Sequence, residues 1–306
     1  FGVERDSEQS DTGGRAGVLS SPAVVDGAVY VAASGIPVAN SSLVDRIYAL
    51  DARDGGVRWI VDFDGLTPCA PAVVDGTVYV GCSTPKRTPS GEVVALDADS
   101  GAQRWRLETE ERIDTSPTVV DSIVYVGGDY LVSAIDANLG TLRWSTDVGG
   151  GIALRESSLA VEDGRVIVTE GAMHYDFFGG VDALDARQGN VEWRVELGLE
   201  ESVSAPTLID GTVYLGSGTE IHAISAADGD SIWRRDVGET ITAQITVDGA
   251  VWVGTHEGTL RVYGEPRPSA RDRDSETGVY RRCPVCDEDL SEHRDAAFCP
   301  FCGTEL

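Results

Sequence analysis

Six stretches of the chain share one alternation of apolar and polar positions: "SPAVVDGAVYV", "APAVVDGTVYV", "SPTVVDSIVYV", "SLAVEDGRVIV", "APTLIDGTVYL" and "AQITVDGAVWV". Each is a β-branched run, a two-residue turn that is usually Asp-Gly, and a second β-branched run. A type I′ turn needs positive φ at both central residues, and Asp-Gly supplies it, so each stretch predicts a tight β-hairpin. Pro22, Pro71, Pro117 and Pro206 each stand four residues before the turn aspartate. Proline donates nothing to a ladder, so its recurrence there marks the first strand of each hairpin as a sheet edge.

A second motif follows each of the first five hairpins: "ALDARDGGVRW", "ALDADSGAQRW", "AIDANLGTLRW", "ALDARQGNVEW" and "AISAADGDSIW", where Ser225 replaces the aspartate. Its tryptophans, Trp59, Trp105, Trp144, Trp193 and Trp233, are spaced by 46, 39, 49 and 40 residues. Periods near 40 indicate helical pairs or propeller blades, and the edge prolines and hairpin turns exclude the helices. Each unit thus predicts four strands, and since one unit cannot cover its own apolar faces, units must stack radially. The tryptophans read as residues that dock each blade on its neighbour.

The AxDxxxGxxxW motif resembles the tryptophan-docking repeat of the pyrroloquinoline-quinone-type propellers, over about residues 16–263. The resemblance implies an all-β β-propeller of four-stranded blades, about six in number, with a truncated seven- or eight-bladed ring as the alternative. The sixth unit has its hairpin and a third strand near Thr259 to Tyr263 but no tryptophan strand. That family includes quinoprotein alcohol dehydrogenases, which use eight blades, a disulfide between adjacent cysteines and a calcium ion. No two cysteines are adjacent here, so the resemblance specifies a fold and not an activity, and a quinone cofactor is not expected.

Charge narrows the partners. The chain carries 51 acidic residues against 24 basic ones, a formal charge of −27, and Lys86 is its only lysine. Such a surface repels nucleic acid and anionic membranes and is typical of a protein kept soluble in a high-salt, halophilic cytoplasm. No run approaches the roughly 18 apolar residues that a membrane helix needs. The chain begins with Phe1 and not methionine, which leaves open a signal or further repeats upstream.

Three connections between second and third strands are enlarged, and the fourth unit's "GAMHYDFFGG" is apolar, with Met173, His174, Tyr175, Phe177 and Phe178. Such a cluster suits a contact surface for a partner, and equally a plug that covers the blade beneath it. His174, His222, His256 and His293 show no metal spacing, and the aspartates are turn residues first, so no catalytic residue is assigned. The expected function is a non-enzymatic scaffold for protein–protein interaction. A quinoprotein-like oxidoreductase with altered site residues is the alternative.

The six cysteines divide into two sets. Cys69 and Cys82 lie equally far from the Asp75-Gly76 turn, so a simple hairpin places them face to face, as a disulfide or as two buried thiols. Cys283, Cys286, Cys299 and Cys302 form two CxxC pairs twelve residues apart, with spacing and prolines that resemble a zinc ribbon. Four thiolates close a tetrahedral shell around Zn2+, so this metal is expected to be structural and the ribbon, residues 280–306, an adaptor. Residues 264–279, rich in proline and mixed charge, read as a flexible linker. A four-thiolate site persists best where thiols stay reduced, which predicts a cytoplasmic location, with export or a membrane anchor as the alternative.

Overall fold

The computed structural model describes residues 17–18, 20–37, 43–63, 67–83, 90–128, 130–149, 159–170, 179–198, 203–247 and 250–263. The described residues form antiparallel sheets in chain order, consistent with the four-stranded blades of a β-propeller. Two compact units divide them, residues 1–159 and 160–306, each carrying three sheets.

The third sheet shows the basic plan, with strands Thr118–Val120, Ile123–Gly127, Leu131–Asp136 and Leu142–Asp147 adjacent in that order. The fourth and fifth sheets repeat it, from Ala160–Glu162 to Val191–Gly198 and from Thr207–Ile209 to Ser231–Asp236. Within each unit the first strands of successive sheets lie against one another. The sixth sheet has three described strands, Ile241–Val247, Ala250–Thr255 and Leu260–Tyr263.

Five of the six predicted turns form, and the sixth, at Asp248-Gly249, lies outside the described residues. Asp26, Asp75, Asp163 and Asp210 have φ of 47–49°, each followed by a glycine of positive φ, and the third turn uses Asp121 and Ser122. The prolines do not lie inside the first strands as expected but one residue ahead of them, at Pro22, Pro71, Pro117 and Pro206. Proline donates nothing to the ladder, and at these four positions the ladder starts at the next residue. In the first two sheets the edge resumes before the proline, at Gly17–Val18 and Thr67–Pro68.

The core lies between consecutive sheets. Residues of the second and third strands are buried on both faces, Val78, Val80 and Cys82 toward the first sheet and Tyr79 toward the third. That two-sided burial explains why "VYV" is a continuous apolar run instead of an alternation. The fourth strands, such as Gln103–Thr109, alternate between exposed and half-buried.

One residue triplet repeats across the complete sheets. The buried alanine of the second motif pairs with the second-strand aromatic on one side and with tryptophan on the other: Tyr30, Ala49, Trp59; Tyr79, Ala95, Trp105; Tyr125, Ala134, Trp144; Tyr214, Ala223, Trp233. A small residue lets the two rings meet above it, with centroids 5.8–6.1 Å apart and planes tilted by 48–52°. In the fourth sheet Ile167 replaces the tyrosine.

The indole then reaches into the next sheet. Trp59 Nε1 donates to the Ala98 carbonyl at 2.9 Å, Trp105 to Ala137 at 2.8 Å and Trp193 to Ala226 at 3.0 Å. Tyr30 and Tyr79 hydroxyls donate to the same Ala98 and Ala137 carbonyls. The motif glycine supplies the seat, since a Cβ at Gly140 would lie 2.6 Å from the Trp105 ring. Each indole hydrogen bond contributes about 1 kcal/mol and each tilted pair roughly 0.5–1.5 kcal/mol more.

Gly55, at the same motif position in the first sheet, has φ of 76° but nothing within 4 Å of its would-be Cβ. Gly140→Ala is therefore expected to cost about 3 kcal/mol, from strain and a displaced indole, against about 1 kcal/mol for Gly55→Ala, which carries strain alone. Urea unfolding of the two variants measures the difference, and equal losses would refute the seat.

Candidate partner-binding surface

The residue before each tryptophan forms a β-bulge in the fourth strand, which turns its side chain back along the sheet. In the first three sheets it is an arginine paired with the motif aspartate: Arg58 with Asp51 at 2.7 Å, Arg104 with Asp97 at 2.8 Å and Arg143 with Asp136 at 2.7 Å. The guanidinium holds each carboxyl below the usual carboxylate range, helped by turn N–H groups. In the fourth sheet the bulge residue is Glu192, paired with Arg165 at 2.6 Å. In the fifth, Ser225 and Ile232 replace both partners, so the lost aspartate strands no charge. These aspartates are structural, and among the described residues no group of three or more His, Cys, Asp or Glu could hold a metal.

The apolar loop residues Met173, His174, Tyr175, Phe177 and Phe178 lie outside the described residues, as do Cys283, Cys286, Cys299, Cys302 and the linker. The feet of that loop are described. Glu170 ends the strand before it and Asp182 lies three residues beyond Gly179, with the two carboxylates 5 % and 0 % exposed. Arg194, on the fourth strand, donates its Nε to Asp182 at 2.8 Å and reaches Glu170 at 3.5 Å. Sequence reasoning missed this cluster. Its signal was the aspartate in "VDALDA", at a core position that the other repeats fill with Tyr48, Val94, Ser133 and His222.

Cys69 and Cys82 do not stand opposite one another. The chain leaves the ladder between Pro68 and Ala72, so Cys82 pairs with Pro68 and the Cys69 N–H reaches the Gly81 carbonyl at 2.8 Å. Counting outward from the turn fails by one residue because the edge is broken at Pro71. Both are buried thiols, not joined to each other, and Cys69 Sγ lies 3.4 Å from the Ile113 carbonyl. Burial pushes the Cys82 thiol well up, with Glu92 and Cys69 adding to it, so this thiol stays protonated. Glu92 pairs with Arg106, yet burial raises its carboxyl as well.

A groove of about 260 Å³ opens in the first unit, between the segment Leu107–Ile113 and the third sheet. Leu107, Ile113, Leu131 and Leu142 give it an apolar lining, and Glu108 and Glu110 an acidic rim. Glu111 is committed inward, accepting the Tyr130 and Leu131 N–H groups at 2.9 and 3.2 Å. Arg112 Nε is buried without a hydrogen-bond partner among the described residues.

The sheets and their aromatic triplets define a β-propeller of pyrroloquinoline-quinone-like repeats. The family described as outer membrane protein assembly factor BamB matches residues 44–176 and 177–265, and the chain belongs to it. The curated BamB of Salmonella typhimurium is 32% identical over 120 residues, which is 36% of this chain and 30% of that protein's length. Among solved structures, BamB from Moraxella catarrhalis superposes with a TM-score of 0.60 at 17% identity, over 82% of this chain and 84% of that one. The quinohemoprotein alcohol dehydrogenase ADHIIG of Pseudomonas putida HK5 gives 0.58 at 18% identity, over 87% and 54%. These two likenesses show the fold alone.

Arg194→Met leaves two buried carboxylates without their counter-charge. It is expected to destabilise the second unit by about 2–4 kcal/mol, the lower end reflecting a guanidinium 45% exposed to solvent. Adding Asp182→Val, which restores the apolar character of Val94 in the second sheet, is expected to recover most of that loss in thermal melts. No recovery would mean that Arg194 acts through packing and not charge.

Proposed function

We propose that the chain is a non-enzymatic scaffold that holds a partner protein on its propeller. The family match across both units carries this reading, since it places the chain among proteins described as assembly factors. The groove of the first unit offers a place for contact. Its apolar lining and acidic rim suit an extended segment bearing a lysine or arginine beside an apolar residue, and the Arg112 Nε can donate to that segment's backbone carbonyl. The loop with Met173, His174, Tyr175, Phe177 and Phe178 is a second contact in this reading.

The oxidoreductase alternative rests on a fold shared with quinohemoprotein alcohol dehydrogenase, and a fold does not carry an activity. The cytoplasmic expectation rested on the four thiolates and the acidic surface. Relatives named for outer membrane protein assembly favour the exported or anchored alternative instead. Among the described residues no helix is long and apolar enough to cross a membrane.

Carboxyl-to-amine cross-linking of the full chain in its native extract is expected to join a partner's lysines to Glu108 and Glu110. The paired Glu108→Lys and Glu110→Lys change is expected to lower that yield at least about fivefold. Purified protein given pyrroloquinoline quinone, calcium and an alcohol or sugar is expected to reduce no dye above the blank. Turnover in that assay would replace the scaffold by the enzyme.

We also propose that Cys283, Cys286, Cys299 and Cys302 bind one structural zinc ion, because two CxxC turns present four thiolates in the number zinc prefers. Purified protein is expected to contain one zinc per chain, and chelation to release it while leaving the propeller melt unchanged. Absence of zinc, or a propeller that melts on chelation, would refute a separate metal module.

A further inference from the structure

Every sheet from the first to the fifth ends on a fourth strand whose tryptophan stands beside the small third-strand alanine, and in all but the fourth it stacks on a second-strand tyrosine. The sixth sheet has the first two parts of that triplet. Trp252 stands where four of the other sheets carry tyrosine and the fourth sheet Ile167, and it pairs with Val262 in the position of the small alanine. Trp252 is 37% exposed and Val262 43%, whereas Tyr30, Tyr79 and Tyr125 are 2–5% exposed. Thr255 donates its N–H to the Thr259 carbonyl at 3.0 Å. Alternation along an antiparallel pair then turns the Leu260 and Val262 N–H groups toward an edge that no described strand covers. The edge thus offers donors, and the face beside it an aromatic ring.

We infer that residues 278–282 of this same chain, Gly-Val-Tyr-Arg-Arg, add to this edge as the fourth strand, with Tyr280 stacked on Trp252 above Val262. The sequence of that segment carries the assignment. Val279-Tyr280-Arg281-Arg282 repeats the apolar, aromatic, arginine, arginine order of Ile232-Trp233-Arg234-Arg235 in the fifth sheet. Fourteen residues separate Tyr263 from Gly278, far more than the short turn that an antiparallel neighbour requires.

The start of the chain fits the edge less well. Tryptophan precedes the next blade's proline by 12 residues at Trp59 and Trp105 and by 13 at Trp193, which counts back from Pro22 to Ser10 or Gln9, neither aromatic nor β-branched. A strand at 278–282 ends beside Cys283, so the cysteine module would be seated on the sixth sheet instead of hanging from a free linker.

Hydrogen exchange on the full chain tests this. The Leu260 and Val262 amides are expected to exchange at least about 100-fold more slowly than an exposed edge, and Tyr280→Pro to abolish that protection. The same variant is expected to leave the amides of Ile123–Gly127 unchanged, which separates local release from unfolding, and Ser275→Pro to change neither. Fast exchange at Leu260 and Val262 in the unsubstituted protein overturns the proposal. So does protection that survives Tyr280→Pro: if removal of residues 1–16 then abolishes it, the start of the chain is the occupant, and if dilution does, a second copy is.

Discussion

The fold depends on one hydrogen bond made over and over, from a tryptophan indole N–H in one sheet to an alanine carbonyl in the next. Trp59, Trp105 and Trp193 reach Ala98, Ala137 and Ala226 in this way. A buried indole N–H without an acceptor is costly, so the angle between neighbouring sheets is set by where that carbonyl lies. The recurring residues of the second motif serve this contact. Its first alanine lets tyrosine and tryptophan meet, its aspartate shapes the turn that presents the next alanine's carbonyl, and its glycine leaves room for the ring.

Departures from the motif follow the same logic. Where Ser225 removes the aspartate, Ile232 removes the arginine that would have paired with it, and the Trp233 triplet persists with Tyr214 and Ala223. Where Ile167 removes the tyrosine, Trp193 still holds the Ala226 carbonyl. The fourth sheet also carries the least expected chemistry, two buried carboxylates against Arg194 on the strands that flank residues 171–178 in sequence. A charge pair of that kind adds little net stability, but it fixes the two strands from which the loop leaves.

A repeat of this design separates architecture from function. The apolar positions serve sheet-to-sheet contact, so the proposed partner contact falls on what the repeats do not share: the enlarged connections, a groove rimmed by glutamates and a final sheet with three described strands. Membership of the BamB family fixes the frame, and the attachments that vary between repeats are where the proposed partner contact lies.

The sequence by itself determined the hairpins, the sheet order and the spacing of the tryptophans. These follow from local rules: positive φ at Asp-Gly, the missing N–H of proline, and side-chain alternation along a strand. Only the tertiary structure decided which carbonyl each indole binds, that Pro71 breaks the edge and takes Cys69 out of register with Cys82, and that Asp182 and Glu170 share Arg194. Those outcomes depend on residues 12 to 44 positions apart, brought together by stacking. A local pattern records what each strand can do, whereas the pairing of distant polar atoms is settled by the packing that removes water from both.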